Sequence, residues 1–344
     1  MGKRIVGILL VICAAGSVLY LAYHFVWKGG LFTTHQFTPG ILAPARAEGK
    51  GFGFIDTSGQ FVIAPAYDQA YPFSEGLALV RKGNLWGFID KAGIVVIPVS
   101  ILTEELPSPL GSDSFRGFSS GRFLLWNKEH GTHYIDKTGS NPFAGRFSHV
   151  GYFVDGKAVV RRAGEKGVSI IDPDGNVTAS FEDEDVQFIC QGELICVDRQ
   201  FKKGYIGWDG NEIVPCMYDY AGVFSNGLCL AINEDGQVHC YDRKTTLVFS
   251  VEEIVFNFYA FHDGYCALTH FSPKSLTAIL IDKTGRIVLD KKWRFSADFT
   301  LGLWAVQDTE TEKWGYVDIE GNWVIEPQFT WARPFTEPDK TNVY

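Results

Sequence analysis

Aspartate recurs along this chain at a near-constant interval, and evenly spaced carboxylates are the first place to look for chemistry. With Asp56, Asp90, Asp136, Asp172, Gly207, Asp242, Asp282 and Asp318 as markers, the intervals run from 34 to 46 residues. A ring of carboxylates invites a cation, but an oxygen-rich calcium site needs several ligands converging on one point. One Asp at the edge of each repeat does not converge, and each already has another use. Asp-x-x-Gly between apolar runs, as in Asp56-Thr57-Ser58-Gly59 and Asp136-Lys137-Thr138-Gly139, is a hairpin-turn pattern. The carboxylate binds the following backbone and Gly supplies the positive φ that rejoins the strand. Thr245 stands where the sixth copy needs Gly; a β-branched residue resists that conformation, so this turn is expected to differ in shape.

Other reactive types are scattered. His130 and His133 flank a hairpin and lack a further ligand set, so no metal is expected there. The motif reading finds no Gly-x-Ser-x-Gly elbow, phosphate loop or zinc-protease motif, and no cofactor is expected. Carboxylate pairs for glycoside chemistry come from distant loops and cannot be located from sequence. Two departures from the repeat stand out as candidate binding residues. One is the insertion Ser100–Gly117 with Glu104, Glu105 and Arg116, since loops on a rigid scaffold carry function. The other is the acidic run Glu182-Asp183-Glu184-Asp185, a solvated loop tip or a contact for a cation or basic partner. Trp126, Trp208, Trp293, Trp323 and Trp331 are aromatics that the repeat does not account for.

The elements that must position these residues are short strands. In Trp86-Gly87-Phe88-Ile89-Asp90 both alternating faces are apolar or small, which argues for burial on both sides, with Gly87 letting another sheet approach closely. Leu77–Val80 and Val95–Ile97 are also β-like, so one unit reads as three antiparallel strands in a meander. No extramembrane segment sustains a 3.6-residue apolar period.

Between the markers lies a second phrase: Val62-Ile63-Ala64-Pro65, Tyr67-Asp68-Gln69-Ala70, then Phe73-Ser74-Glu75-Gly76-Leu77-Ala78. A later copy reads Ile213-Val214-Pro215, Tyr218-Asp219-Tyr220-Ala221 and Phe224-Ser225-Asn226-Gly227-Leu228-Cys229. Together with aromatic-Gly-aromatic-Ile-Asp, this resembles the bacterial WG-repeat family (Trp-Gly β-repeat, KWG-like) from about Phe37 to Phe335. The literal Trp-Gly pair survives only at Trp86-Gly87 and Trp314-Gly315. The resemblance implies a fold and leaves the activity open.

The two ends complement each other. Phe37-Thr38-Pro39-Gly40-Ile41-Leu42-Ala43 has the form of the phrase that closes a repeat, while Trp331–Glu337 reaches the same phrase and stops before its strand. Pairing the first strand with the last unit would remove exposed edges. The expected fold is therefore all-β: a closed β-propeller of about eight short blades, its outermost strands drawn from stretches such as Tyr67–Phe73. An open β-solenoid is the alternative, though neither end has a polar cap.

Residues 1–28 are expected to form an N-terminal transmembrane signal-anchor, followed by a linker at 29–36 and the repeat domain at 37–344. Ile5–Trp27 is uncharged, mostly apolar and long enough to cross a bilayer once. Lys3 and Arg4 before it leave the N-terminus cytoplasmic and the repeats outside, at the inner membrane. Secretion or a periplasmic location after signal cleavage is the alternative. Without Lys3, Arg4 and Lys28 the formal charge moves from −9 to −12, which argues against nucleic acid and anionic lipid surfaces. Six cysteines lie in the repeats. Cys229 and Cys266 replace the Ala of Gly76-Leu77-Ala78 and Cys196 replaces Val80, so these read as core thiols with at most one disulfide. The expected function is a membrane-anchored extracytoplasmic scaffold that binds a protein or envelope component rather than an enzyme. A propeller hydrolase or lyase acting on a saccharide is the alternative, and a ligand-sensing lid is a third reading.

Overall fold

The computed structural model describes residues 26–27, 30–31, 40–102, 117–127, 131–143, 147–181, 187–191, 194–244, 246–251, 255–272, 275–290, 293 and 295–336. The chain divides into two compact units, Met1–Gln36 and Phe37–Tyr344. In the first, β1 (Val26–Trp27) pairs antiparallel with β2 (Gly30–Leu31). The rest of the expected membrane-crossing run lies outside the described residues, among which no helix is long and apolar enough to cross a membrane.

The second unit is a ring of antiparallel sheets. The first holds β3 (Ala43–Arg46), β4 (Phe52–Ile55) and β5 (Phe61–Tyr67); the second holds β6 (Gln69–Ala70), β7 (Ala78–Lys82), β8 (Leu85–Ile89) and β9 (Val95–Leu102). Next come β10 (Phe123–Asn127), β11 (Gly131–Ile135), β12 (Phe147–Val150), β13 (Ala158–Arg162), β14 (Val168–Ile171) and β15 (Val177–Phe181) in one six-stranded sheet. The fourth sheet is β16 (Gln187–Gln191), β17 (Ile195–Arg199), β18 (Lys202–Ile206) and β19 (Glu212–Tyr218). The fifth is β20 (Tyr220–Ala221), β21 (Leu228–Ile232), β22 (Val238–Asp242) and β23 (Leu247–Val251). The sixth is β24 (Val255–Phe258), β25 (Tyr265–Ser272), β26 (Ser275–Asp282) and β27 (Ile287–Asp290). The seventh is β28 (Ser296–Thr300), β29 (Leu303–Gln307), β30 (Trp314–Val317) and β31 (Trp323–Phe329). The last strand, β32 (Trp331–Ala332), returns to the first sheet through Ala45↔Ala332 and Arg46↔Trp331. That pairing closes a β-propeller, and the open solenoid is set aside.

Counted by sheets among the described residues, the ring has seven blades, which corrects the expected eight. The eight repeat units remain, but the third and fourth share one sheet. Phe147 pairs with Thr132 on one side and Arg162 on the other, so β12 finishes one unit and opens the next without a break.

Two strand assignments are also corrected. The exposed outer strand comes from the Val-Ile-x-Pro phrase: Val62 is 53% exposed and Val95 49%. Of the stretch Tyr67–Phe73, Tyr67 ends the outer strand β5, and Gln69 onward opens the buried inner strand of the next blade, where Ala70, Tyr71 and Phe73 are buried. A unit thus has four strands, and the meander of three lacked this inner one.

The Gly of aromatic-Gly-aromatic admits its own outer strand, not another sheet. A Cβ on Gly53 would stand 2.4 Å from the Ile63 carbonyl oxygen, and one on Gly315 would stand 2.6 Å from that of Ile325. The outer strand is irregular there: Phe54 pairs with Ile63 but Phe52 with Tyr67, so Ala64-Pro65-Ala66 bulges over the glycine. A bulge tolerates the proline that a regular ladder would not.

Recurrent polar pegs join the units. Ser74 Oγ donates to the Phe118 carbonyl at 2.6 Å, Ser225 Oγ to Phe261 at 2.9 Å and Thr300 Oγ1 to Phe335 at 2.7 Å. Tyr134, Tyr205 and Tyr316 hydroxyls each donate to a carbonyl seventeen residues on, at Gly151, Gly222 and Arg333. The Asp turns form as read. Asp172 Oδ1 accepts from the Asp174 and Asn176 N–H groups at 3.0 and 2.9 Å, and Gly175 takes φ +85°. Where Gly207 replaces the marker, Asp209 accepts from the Asn211 N–H instead. In the sixth turn Asp242 Oδ1 accepts from the Lys244 and Thr246 N–H groups at 2.8 and 2.9 Å, while Thr245 itself lies outside the described residues.

Candidate binding face

The ring has two chemically different ends. One carries the Asp turns together with the left-handed turns that join each inner strand to the next, such as Glu75-Gly76 and Asn226-Gly227. Lys137 in the Asp136 turn donates to the Glu75 carbonyl at 2.9 Å, which puts both turn types on the same side. The opposite end carries the hairpins between the second and third strands and the crossings between blades. There Lys313 reaches Glu48 at 2.5 Å, and Lys202 reaches Asp219 at 2.8 Å and Glu234 at 3.6 Å.

The hairpin end presents the aromatics. Trp126, Phe201, Tyr220, Phe295 and Trp331 are the exposed aromatics among the described residues, and all five lie at this end. Tyr220, Phe295 and Trp331 share one repeat position, the variable residue of Tyr-Asp-x-Ala at the start of the inner strand. The signal was present in Tyr218-Asp219-Tyr220-Ala221, but only the strand order shows that this position faces outward at one end. Phe201 is the most exposed, at 88%. It sits with Gln200 in a two-residue hairpin loop, both with positive φ of 67° and 52°. A bulky aromatic in the left-handed region is strained, and such strain gathers where a side chain has a use.

Of the tryptophans unexplained by the repeat, Trp126 and Trp331 are exposed here. Trp293 is buried against Trp304, with ring centroids 5.2 Å apart, and Trp208 lies beneath Lys157. Beneath the face, guanidinium groups lie on aromatic rings: Arg81 on Trp86 at 5.6 Å, Arg46 on Phe52 at 5.8 Å and Arg333 on Tyr71 at 4.4 Å. Arg81 and Trp86 face each other across β7 and β8, so the repeat's tryptophan is the floor for the arginine.

The binding residues expected from the sequence, Glu104, Glu105, Arg116 and Glu182 to Asp185, lie outside the described residues, as does His130. His133 is buried, with Nδ1 2.9 Å from the Gly131 carbonyl. Among the described residues no group of three His, Cys, Asp or Glu side chains could hold a metal. Gly117-Phe118-Ser119-Ser120-Gly121 does have the Gly-x-Ser-x-Gly spacing, against the reading above. Ser119 is nonetheless buried in a turn between strands and spends its hydroxyl on the Phe153 carbonyl at 2.5 Å.

Cys196, Cys216, Cys229, Cys240 and Cys266 carry free thiols, and all but Cys216 are buried. Cys196 opposes Tyr205, as Leu79 opposes Phe88, so it replaces Leu79 rather than Val80. Burial pushes the Cys240 and Cys266 thiols up, which keeps them unreactive. The Tyr218 hydroxyl, hydrogen-bonded to Tyr241 and beside His239 Nδ1, is likewise raised by burial and then by Tyr241. Burial lowers His262 to about 4.

The family model described as WG containing repeat matches residues 52–86, 204–237 and 314–339, so the chain carries WG repeats. The first match runs from β4 of one blade to β8 of the next. No curated protein matches the sequence. Among solved structures, one described as the eukaryotic initiation factor is similar with a TM-score of 0.54 at 11% identity, over 89% of this chain and 100% of that one. Dihydro-heme d1 dehydrogenase NirN in complex with DHE is similar with a TM-score of 0.53 at 14% identity, over 88% and 75%. At these identities the likeness shows the fold alone.

Proposed function

We propose that this chain is a binding scaffold held at the outer face of a membrane, its hairpin end turned toward a protein or envelope component. The observation that carries this reading is the gathering of the exposed aromatics on that one end, with Phe201 held there against its backbone preference. Aromatics of this kind supply large contact area at low entropy cost and anchor interfaces. The apolar run Ile5–Trp27 after Lys3 and Arg4 supports anchoring with the repeats outside.

The test is recovery of envelope components on the full-length chain, compared with Phe201→Ala and Tyr220→Ala. A specific component that is captured by the wild type and lost from both variants supports the reading. Equal recovery by all three proteins, or none by the wild type, sinks it.

A further inference from the structure

We propose that one half of the hairpin end is an oxyanion-binding surface, built from Arg46, Arg81 and Arg161 around Trp126, whose ligand is an acidic saccharide carrying ring carboxylates. The inference rests on the reading of this end as the binding face and names the ligand class.

The four residues occupy one position in the repeat. Across the strand pair, Arg46 faces Phe52, Arg81 faces Trp86 and Trp126 faces Thr132. Arg161 follows Val160, which faces Ser169, and so takes the same place on β13. These are the first four units in sequence. The other four carry Asp198, Ile232, Thr269 and Gln307 at that position. One half of the ring is therefore cationic at this level, although the chain as a whole carries a formal charge of −9.

Ring faces rather than carboxylates support two of these arginines, Arg46 and Arg81. Asp198 on the other half pairs with Lys203 at 3.1 Å, whereas Arg46, Arg81 and Arg161 meet no carboxylate among the described residues. Arg81 Nε and Arg161 Nε and Nη2 are buried without a hydrogen-bond partner. Burial holds those edges of the guanidinium groups in place, and the nitrogens outside it, Arg81 Nη1 and Nη2 and Arg161 Nη1, are the donors an oxyanion meets. The Arg161 charge is felt locally: His149, its partner across the strands, is made less basic by burial and then by Arg161.

Trp126 selects among oxyanions. Its exposed indole stands in the unit between those of Arg81 and Arg161, and a flat apolar ring stacks on the C–H face of a pyranose. Guanidinium groups on either side suit carboxylates, which they bind in bidentate fashion. An acidic peptide without ring side chains, such as polyglutamate, meets the arginines but has no ring to lay on the indole.

Calorimetric titration of the full-length chain with oligogalacturonate tests this. Saturable binding is expected, weakened about tenfold or more by Arg81→Gln, by Arg161→Gln and by Trp126→Ala, as for loss of one charge-assisted or stacking contact. Methyl esterification of the ligand should abolish binding, and Asp198→Asn should leave it unchanged. Circular dichroism confirms that each variant is folded. Equal binding of polyglutamate, or affinity retained by an Arg46→Gln, Arg81→Gln, Arg161→Gln triple variant, overturns the proposal. If the wild type captures an envelope component through Phe201 but binds no oligogalacturonate, the scaffold reading survives and this inference falls alone.

Discussion

Arg46 and Trp331 face each other across the two strands that close the ring, 285 positions apart in the chain. Everything between them is held in a circle by that short pairing and by the packing just beyond it. Phe335 is buried with its ring 4.8 Å from Tyr316, and its carbonyl accepts from Thr300.

Closure therefore depends on a few residues at the C-terminal end. Phe335→Ala is expected to cost about 3–4 kcal/mol, the usual range for emptying a buried aromatic site. Urea unfolding measures this, and a change under about 1 kcal/mol would show that the seam is not limiting.

The bulge over the central glycine predicts a steric effect. Gly53→Ala and Gly315→Ala each force a methyl group against a carbonyl oxygen of the same blade. A loss of about 1–3 kcal/mol is expected in the same assay. Unchanged stability in both variants would mean that the bulge moves freely.

Phe201 should show a trade-off between stability and binding. Phe201→Gly removes a side chain that is 88% exposed and relieves its left-handed backbone. The melting temperature should rise, by about 1 kcal/mol in stability terms, while capture of the envelope component falls. A variant that is less stable than wild type contradicts the strain argument.

The turns make stability depend on pH. Asp136 and Asp282 are lowered chiefly by a threonine hydroxyl, Asp172 by the Asn176 side chain and Asp242 by the Thr246 N–H. A carboxyl lowered on folding stabilises fully above its unfolded value of about 4 and loses that contribution as pH falls through the folded value. Melting temperature should therefore drop on acidification below about pH 4. Asp172→Asn with Asp282→Asn should flatten that limb, and an unchanged limb would assign acid sensitivity elsewhere.

Much of the architecture was legible because repeats report on local chemistry. Asp56 to Gly59 announced a turn, and the match between Leu42-Ala43 and the unfinished last unit announced closure. Other features depend on which neighbour a residue meets, and alternation along a strand does not carry that. Gly53 signalled a close approach without saying that the intruder was the bulge at Ala64. Tyr67–Phe73 signalled a strand without saying that it divides after Tyr67, with Gln69 onward in the next blade. The blade count failed at Phe147, which pairs on both sides and joins two units into one sheet although the Asp136 turn before it is intact. Of the candidate site, the sequence flagged Trp126 and Trp331 as unexplained. It could not show that they share an end with Phe201, because that follows from the order of strands within each sheet.

The WG match over residues 52–86 begins in the third strand of one blade and ends in the third strand of the next. The unit that is copied is thus out of phase with the unit that packs. A duplication in that frame delivers half of one sheet, half of another and the crossing between them. No copy is self-sufficient, so shortening the array by one such segment rejoins two halves and makes a smaller wheel rather than a gap. Propellers of this kind are expected to differ between relatives by whole blades, with the seam free to fall anywhere around the rim.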